Sequence, residues 1–393
     1  MYRVLAAAAA ATLVTGCASL TGLTSSTGST VTPGQNCGRP PGMIIIVGAH
    51  RNAPEPSLGP VMTCQLTAAI QAGVPVRIVI SDGQPQVIDP QLAPVTGGTL
   101  AQQASPRARE DVQRVQRVIA AARPASAGAD DLAALAIAAD EAHALGVPGA
   151  ELVLLDSGLD DRGALNFTVP GMVAATPAEV AGQLKSTRNL PDLSRFTVVL
   201  AGIGYTAPPQ VPLPARWRAN LTQIWTTVAT AAGAKVQVIP QPGQSPSIVT
   251  NEPVQPVPVP TAGEVTPAAH ATIVFTGTSP VQFDPNSASF IDQSAVVQAL
   301  RPIARWLAAS SSRHAWLEGT TADVGPITGQ VALSVQRADH VRSVLVSLGA
   351  SPGQITTSGV GSRFPQFVRD RDAAGALLAA PATLNRSVRI TLS

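Results

Sequence analysis

A carboxylate and a guanidinium lie close together near the C-terminal end of the sequence. Asp323 falls in a short loop, and Arg337 falls on the helix that the pattern predicts after it. That helix is predicted from apolar residues at a 3.6-residue period, Leu333, Val341, Val344 and Leu348, with Gly349 as its C-terminal cap. Because loop and helix bring both charges to one side of the fold, they predict a site for a small zwitterion, with an opposite partner for each charge.

The segment around these two residues resembles the OmpA-like family of peptidoglycan-associated domains. In that family a Gly-His-Thr-Asp-x-x-Gly loop precedes a helix with Leu-Ser-x-x-Arg-Ala-x-x-Val. Here the loop reads GTTADVG at 319–325, and the helix reads LSVQRADHV at 333–341. Three further matches follow the family order: FDPNSA at 283–288, GVG at 359–361 with Pro365 after it, and NRSVRI at 385–390. The resemblance covers residues 270–393 and implies an α+β sandwich.

The resemblance also implies a ligand. Family domains bind the diaminopimelate of peptidoglycan stems through the loop Asp and the helix Arg. Arg337 occupies the position of that Arg, but Ala322 occupies the position of the Asp, and Asp323 follows one residue later. Either Asp323 substitutes for the missing carboxylate, or the site has lost it. Arg386, in the family's last strand, is either a third peptidoglycan-binding residue beside Asp323 and Arg337 or a structural ion-pair partner.

The N-terminus has the pattern of an export signal, at residues 1–16. Arg3 precedes an Ala-rich apolar run from Val4 to Val14, which is too short to span a bilayer permanently. The sequence VTGC at 14–17 resembles the lipobox of bacterial lipoproteins, which implies acylation of Cys17 with fatty acids such as palmitate. The alternative is an ordinary signal peptide with a chance cysteine. Residues 17–37, rich in Thr, Ser and Gly, are predicted to be a flexible tether.

Lipidation of Cys17 would leave Cys37 and Cys64 as a pair. Export favours a disulfide between them, which would close a loop of 27 residues (64 minus 37). Such a bond would stabilise the fold by about 3 kcal/mol. Two buried free thiols are the alternative. No metal site is predicted, because no further His or Cys lies at ligand spacing around them.

The overall charge of the chain argues against nucleic acid as a partner. A formal net charge of +2 gives no strong electrostatic attraction for nucleic acid. Charged residues make up 13% of the chain, about half the usual share. This composition suits a protein outside the cytoplasm.

Residues 38–240 alternate short apolar runs with helical patterns. The predicted strands are Met43–Ala49, Val76–Ser81, Leu152–Asp156, Phe196–Gly202 and Val236–Ile239. The predicted helices are Leu58–Gln71, Arg107–Ala122, Asp130–Leu145, Ala178–Lys185 and Pro214–Ala232. Continuous apolar strands of this kind are buried on both faces. The pattern therefore predicts a doubly wound, Rossmann-like parallel α/β domain.

Ligands of such sheets bind at the carboxyl ends of the strands. Asp82, Asp156 and Asp160 follow predicted strands, so they are candidates for a polar crevice that holds a cation or substrate. The alternative is that they form Asx-turns and cap the next helices. His50 is the one histidine placed to serve catalysis there, but no Gly-x-Ser-x-Gly nucleophile accompanies it. No cofactor is predicted, since the sequence lacks a P-loop and a complete dinucleotide fingerprint.

A Pro- and Val-rich linker at 241–269 separates the two domains and is predicted to be a semi-rigid spacer. The C-terminal domain is predicted to contain strands at Ala271–Phe275, Val281–Phe283, Arg313–Leu317, Ile355–Ser358 and Leu384–Leu392. A capping box of Ser289 and Asp292 is predicted to begin a helix that runs through Leu307, with a kink at Pro302.

These features together predict a non-catalytic, lipid-anchored protein of the cell envelope, at the outer face of the plasma membrane or in an outer membrane. Its partners would be peptidoglycan, the membrane and an envelope protein, but not nucleic acid. One alternative is an envelope enzyme or small-ligand sensor with its site at Asp82 and Asp156. Another is an OmpA-like protein-interaction module that has lost wall binding.

Overall fold

The apolar runs of the first domain form a six-stranded sheet. Its strands are β1 (Met43–Gly48), β2 (Val76–Ser81), β3 (Gln86–Ile88), β4 (Glu151–Leu155), β5 (Thr197–Ala201) and β6 (Lys235–Ile239), in the order β3-β2-β1-β4-β5-β6. All pairings are parallel except that of β3 with β2. Every residue of β1 is buried, as expected for a strand covered on both faces. The sequence pattern did not predict β3, because its side chains are largely exposed.

The computed structural model describes residues 37–92, 101–241, 246–261, 263 and 265–393. The predicted signal segment, Cys17 and nearly all of the predicted tether lie outside these residues. Cys37 and Cys64 form the predicted disulfide, with their Cα atoms 5.9 Å apart. Within the described part of the chain, no helix is long and apolar enough to cross a membrane.

Helices cover both faces of the sheet, which confirms the doubly wound prediction. The core on one face includes residues of α1 (Pro60–Gln71) and α2 (Ala101–Ala120). The core on the other includes residues of α3 (Asp131–Ala144), α4 (Pro177–Ser186) and α5 (Ala215–Ala231). A short 3₁₀ turn at Met172–Ala174 precedes α4.

The described part of the Pro-rich linker lies against the first domain and does not extend as a free spacer. Gln210 makes two hydrogen bonds to the backbone of Val257, at 2.7 and 3.1 Å. The indole of Trp217 donates to the Pro260 carbonyl at 2.9 Å. The described linker residues form no helix or strand, and the backbone groups of Val257 and Pro260 find partners on the domain surface.

The C-terminal domain has a four-stranded sheet with helices packed against it. The strands are β7 (Thr272–Phe275), β8 (Ala315–Gly319), β9 (Ile355–Gly359) and β10 (Val388–Leu392), in the order β7-β10-β8-β9. The helices are α6 (Gln293–Ala308), α7 (Ile327–Ser347) and α8 (Ala379–Asn385). Helices α6 and α7 share a hydrophobic core with the sheet. This is the predicted α+β sandwich, and Gly349 ends α7 with φ of 104°.

Three local predictions in this domain were wrong. The predicted strand at Val281–Phe283 is reduced to a single bridge between Phe283 and Phe290. Ser289 takes no part in capping α6, because residues 289–291 turn back towards that bridge, and Asp292 alone caps the helix by accepting from the amides of Ser294 and Ala295. The predicted strand from Leu384 begins only at Val388, since the preceding residues form α8.

Helix α8 joins the C-terminal domain to the first one. Ala379 and Ala380 belong to the hydrophobic core that α4 and α5 share with the first sheet. The amide of Ala379 donates to the Gln183 side chain of α4 at 2.8 Å. At Gly171 a Cβ atom would lie 2.7 Å from the Ala380 carbonyl oxygen, so only glycine permits this approach. The two domains therefore have a packed and hydrogen-bonded contact.

Candidate functional site

Close packing of α7 on the sheet positions the loop that was predicted to bind ligand. A Cβ atom at Gly319 would lie 1.9 Å from the Ser334 carbonyl, and one at Gly359 would lie 2.3 Å from the Ser334 hydroxyl. The two glycines therefore let the first turns of α7 touch β8 and β9. As a result, the loop at 319–325 folds over the N-terminal half of α7, where Arg337 lies.

Arg337 is buried at the base of this loop, with 1% of its surface exposed. Its Nε donates to the Ser287 carbonyl at 3.0 Å, and its guanidinium carbon lies 5.0 Å from the centre of the Phe283 ring. Its Nη1 has no hydrogen-bond partner within the described residues. Burial, together with the nearby charge of Arg386, lowers the pKa of Arg337 to about 10, against an opposing effect of Glu179. Arg337 is therefore a charged group at neutral pH with an unused donor.

Arg337 also lines a pocket of about 50 Å³. Its lining combines the loop, the start of α7 and both predicted arginines: Asn286, Thr321, Ala322, Val324, Gly329, Gln330, Leu333, Arg337 and Arg386. The buried hydroxyl of Thr321 also has no partner among the described residues. None of these lining residues is acidic. The pocket thus offers two cations and a hydroxyl, which is the chemistry of an anion site.

Asp323 does not line this pocket. Its carboxylate accepts from the Gln330 side chain at 2.9 Å and lies 3.4 Å from the Arg371 Nε. Its backbone amide donates to the buried carboxylate of Asp370 at 2.9 Å. These contacts hold the Asp323 side chain at the surface, 47% exposed. The structure therefore brings Arg337 and Arg386 together but leaves Asp323 outside, and Ala322 occupies the wall where a family carboxylate would be expected.

Arg386 has a partner from the other domain. Its Nη1 and Nη2 donate to Oε2 and Oε1 of Glu179 on α4, at 2.9 and 2.5 Å. Arg386 thus forms the structural ion pair of one alternative, whereas its role in peptidoglycan binding stays a prediction, although it lines the pocket. Sequence reasoning missed Glu179, because 207 residues separate it from Arg386 and no local motif marks it.

In the first domain, the candidate Asp82 proves to be a turn former. Its carboxylate accepts from the backbone amides of Gln84, Ala125 and Ser126 at 2.7 to 3.0 Å. Asp160 similarly accepts from the amides of Asp131 and Leu132 at the start of α3. Backbone donors therefore occupy both carboxylates: Asp82 forms the predicted Asx-turn, whereas Asp160 caps the preceding helix α3 and not the next one.

Asp156 forms a buried pair with His50, with Nε2 and Oδ2 2.8 Å apart. Burial opposes the charge on His50, but attraction and a hydrogen bond from Asp156 outweigh it and raise the pKa of His50. Burial likewise opposes ionisation of Asp156, yet the charge and hydrogen bond of His50 lower the pKa of Asp156. The structure thus holds imidazolium and carboxylate together.

Two further acids, Asp131 and Asp160, complete this cluster. Burial raises the pKa of Asp131 well above its usual value, and the nearby carboxylates of Asp156 and Asp160 add to the effect. Burial and neighbouring carboxylates, that of Asp130 foremost, also raise the pKa of Asp160. The hydroxyl of Ser81 donates to Asp131 at 2.6 Å. Three of the acids at this edge therefore converge, but in the interior and without Asp82.

A small cavity lies beside the cluster. It is lined by residues that include Asp156, Ser157 and Tyr205, and its volume of about 40 Å³ is similar to that of the pocket at Arg337. The Ser157 hydroxyl and the His50 Nδ1 both lack hydrogen-bond partners among the described residues, so they are not bonded to each other. His50, Asp156 and Ser157 consequently do not form the hydrogen-bonded chain of a catalytic triad.

Solved structures similar to part of this chain come from several bacteria. The peptidoglycan-associated lipoprotein from Burkholderia pseudomallei is 28% identical, with 29% of this chain and 94% of that one covered and a TM-score of 0.25. The periplasmic domain of Helicobacter pylori MotB is 20% identical, with 31% and 74% covered and a TM-score of 0.26. An outer membrane protein from Borrelia burgdorferi is 23% identical, with 30% and 86% covered and a TM-score of 0.22.

A sequence comparison with curated proteins finds no match. The family comparison, in contrast, matches residues 282–375 to the OmpA family. The matched segment contains α6, β8, α7, β9 and the whole loop that lines the arginine pocket. Residues 282–375 of this chain are therefore an OmpA family domain.

Proposed function

We propose that this protein associates with peptidoglycan in the cell envelope through Arg337 and Arg386, and that acylated Cys17 anchors it to a membrane. The observation that carries the proposal is the guanidinium of Arg337, which is buried in the wall of an open pocket whose lining contains no acidic residue. A buried charge without a counter-charge is unfavourable. A ligand carboxylate in the pocket supplies that counter-charge.

The ligand is a carboxylate of the peptidoglycan stem. A planar carboxylate in the pocket would face the guanidinium-bearing residues Arg337 and Arg386, which both line it. Charge and shape therefore match the acid group of diaminopimelate, the ligand that the family resemblance implies. Because no lining residue is acidic, the amino group of that ligand meets no opposite charge in this pocket.

Co-sedimentation of the purified full chain with isolated peptidoglycan tests this role. We expect the protein to pellet with the wall and Arg337→Met to remove the binding. Arg342→Met is the matched control, since Arg342 lies on the same helix and donates to the Pro352 carbonyl instead of facing the pocket. Equal pelleting of both variants and the parent would contradict the proposal.

Absence of pelleting from the parent protein has a specific meaning, because Ala322 stands in the wall of the pocket. It would favour the other candidate, a protein-interaction module that keeps the OmpA fold without wall contact. Recovery of pelleting in Ala322→Asp would then show that the lost carboxylate is the cause.

The anchor is tested separately. Expression of the full chain should place it in the membrane fraction, and mass spectrometry should find acyl chains on Cys17. Cys17→Ser should release the protein from the membrane, because it removes the diacylglycerol, whose two acyl chains supply the two-chain anchoring that stable attachment needs. Membrane retention of Cys17→Ser would contradict the lipid anchor.

A further inference from the structure

The ion pair between the two domains uses the same chemistry as the proposed ligand. Glu179 of α4 presents a planar carboxylate to both terminal nitrogens of Arg386, in the bidentate arrangement that guanidinium and carboxylate favour. Arg386 in turn forms part of the pocket wall beside Arg337. The Glu179 carboxylate therefore already pairs with Arg386, one of the two cations that line the pocket.

The domain contact fixes this carboxylate in place. Helix α4 bears both Glu179 and Gln183, and Gln183 accepts the amide of Ala379 at the start of α8. Ala379 and Ala380 are buried in the first domain's core. Since α8 leads directly into Arg386, this packing determines the separation between Arg386 and α4. The packing of α8 against the first domain thus places Glu179 beside Arg386.

The pair is nonetheless open enough to exchange. The side chains of Arg386 and Glu179 are 13% and 20% exposed, so Glu179 can rotate towards solvent without separation of the domains. Arg337, by contrast, is 1% exposed and has no acidic hydrogen-bond partner among the residues that the structure describes. The pocket therefore contains one cation that is neutralised by the protein and one that is available to a ligand.

We propose that Glu179 is an intramolecular competitor for the ligand carboxylate at Arg386, by which the first domain lowers the affinity of the peptidoglycan site. This inference rests on the proposed wall binding. With Glu179 seated, the ligand engages Arg337 alone. With Glu179 displaced, both guanidiniums bind the ligand.

Equilibrium binding of the full chain to peptidoglycan tests the competition. We expect Glu179→Gln to bind about three- to five-fold more tightly, the range that a partly exposed ion pair supports. The control is Glu110→Gln, which removes the same charge from an exposed position on α2. In an Arg386→Gln background, Glu179→Gln should have no effect, because the cation for which it competes is absent.

Thermal melts first establish that each variant is folded. Unchanged or weaker binding of Glu179→Gln, with a parent that binds and an Arg337→Met variant that does not, would overturn the competition and leave the wall-binding role intact. In that case Glu179 would serve to position Arg386. Failure of the parent and every variant to bind would remove the proposed function and this inference with it.

Discussion

The two charged clusters of this protein differ in how completely their charges are matched. At the strand ends of the first domain, His50 and Asp156 neutralise each other, and three backbone amides satisfy Asp82. In the C-terminal pocket, by contrast, no acidic side chain lines the wall beside Arg337. Removing one partner of a buried ion pair leaves an uncompensated charge, whereas a buried charge without a counter-charge can gain one from a ligand. The sequence predicted candidate residues in both clusters, but only the contacts in the structure distinguish one cluster from the other.

The largest effect should come from breaking the matched cluster. His50→Ala removes the partner of Asp156 and leaves a carboxylate buried without a counter-charge. We expect the free energy of unfolding to fall by about 3–5 kcal/mol, as for other broken buried pairs. Chemical denaturation followed by circular dichroism measures the change. His143→Ala is the control, and a similar loss there would show that the effect is not specific to the charge pair.

Removing the charge of Arg337 from the C-terminal pocket should raise the free energy of unfolding, which is the opposite of the effect expected for His50→Ala. The pKa of Arg337, lowered to about 10, means that the fold disfavours its charge at every pH below that value, and that the penalty disappears as pH rises above it. Arg337→Met should therefore raise the free energy of unfolding by about 1–3 kcal/mol at neutral pH. The same variant should lose wall binding.

Denaturation curves of Arg337→Met and Arg342→Met at pH 7 compare the two arginines of α7. A destabilised Arg337→Met variant would mean that the guanidinium is part of the framework of the fold. The contrast with the first domain would then disappear, and with it the main reason to regard Arg337 as a ligand-binding group.

Whether a feature could be predicted from the sequence depended on how far apart its residues lie along the chain. The buried strand β1 and the helix that ends at Gly349 follow from local periodicity, so they were predictable. The pairing of His50 with Asp156 spans 106 residues, and that of Glu179 with Arg386 spans 207. Neither leaves a local signal, because each partner is chosen by the packing of whole elements.

The orientation of Asp323 shows a second limit, even at short range. Its position in the sequence, one residue after Ala322, suggested a carboxylate that substitutes for the family's own. The backbone is instead held by Asp370, and the side chain by Gln330 and Arg371. Two of these three residues come from other segments of the domain, so the family motif alone could not indicate the direction of the side chain.

A smaller effect on the free energy of unfolding is expected from Asp131, a buried acid of the first domain. The folded-state pKa of Asp131 is raised, so its contribution to stability is complete below pH of about 4 and is lost as pH rises through the folded pKa. Asp131→Asn keeps a neutral side chain at all pH values and should lack this loss. Relative to the parent, it should become more stable as pH rises from 4 to 7.

Unfolding free energies measured across this pH range test the prediction. Asp140→Asn is the matched control, because Asp140 lies on the same helix with its side chain exposed. A parallel pH dependence of Asp131→Asn and the parent would mean that Asp131 is ionised in the fold. The cluster would then contain a charge without a partner, and the first domain would no longer contrast with the pocket.

The smallest effect is expected when a negative charge is added to the C-terminal pocket. Ala322 is buried in the pocket wall beside Arg337, and Ala322→Asp places a carboxylate there. The parent should bind free diaminopimelate and pimelate, which has the same carboxylates without ammonium groups, with about equal affinity. The variant should prefer diaminopimelate by about two- to five-fold, since one partly exposed ion pair contributes up to about 1 kcal/mol. Competition of each compound against wall binding measures the preference. A parent that already prefers diaminopimelate would mean that Glu179 or Asp323 reaches the ammonium group, and that this pocket is a zwitterion site after all.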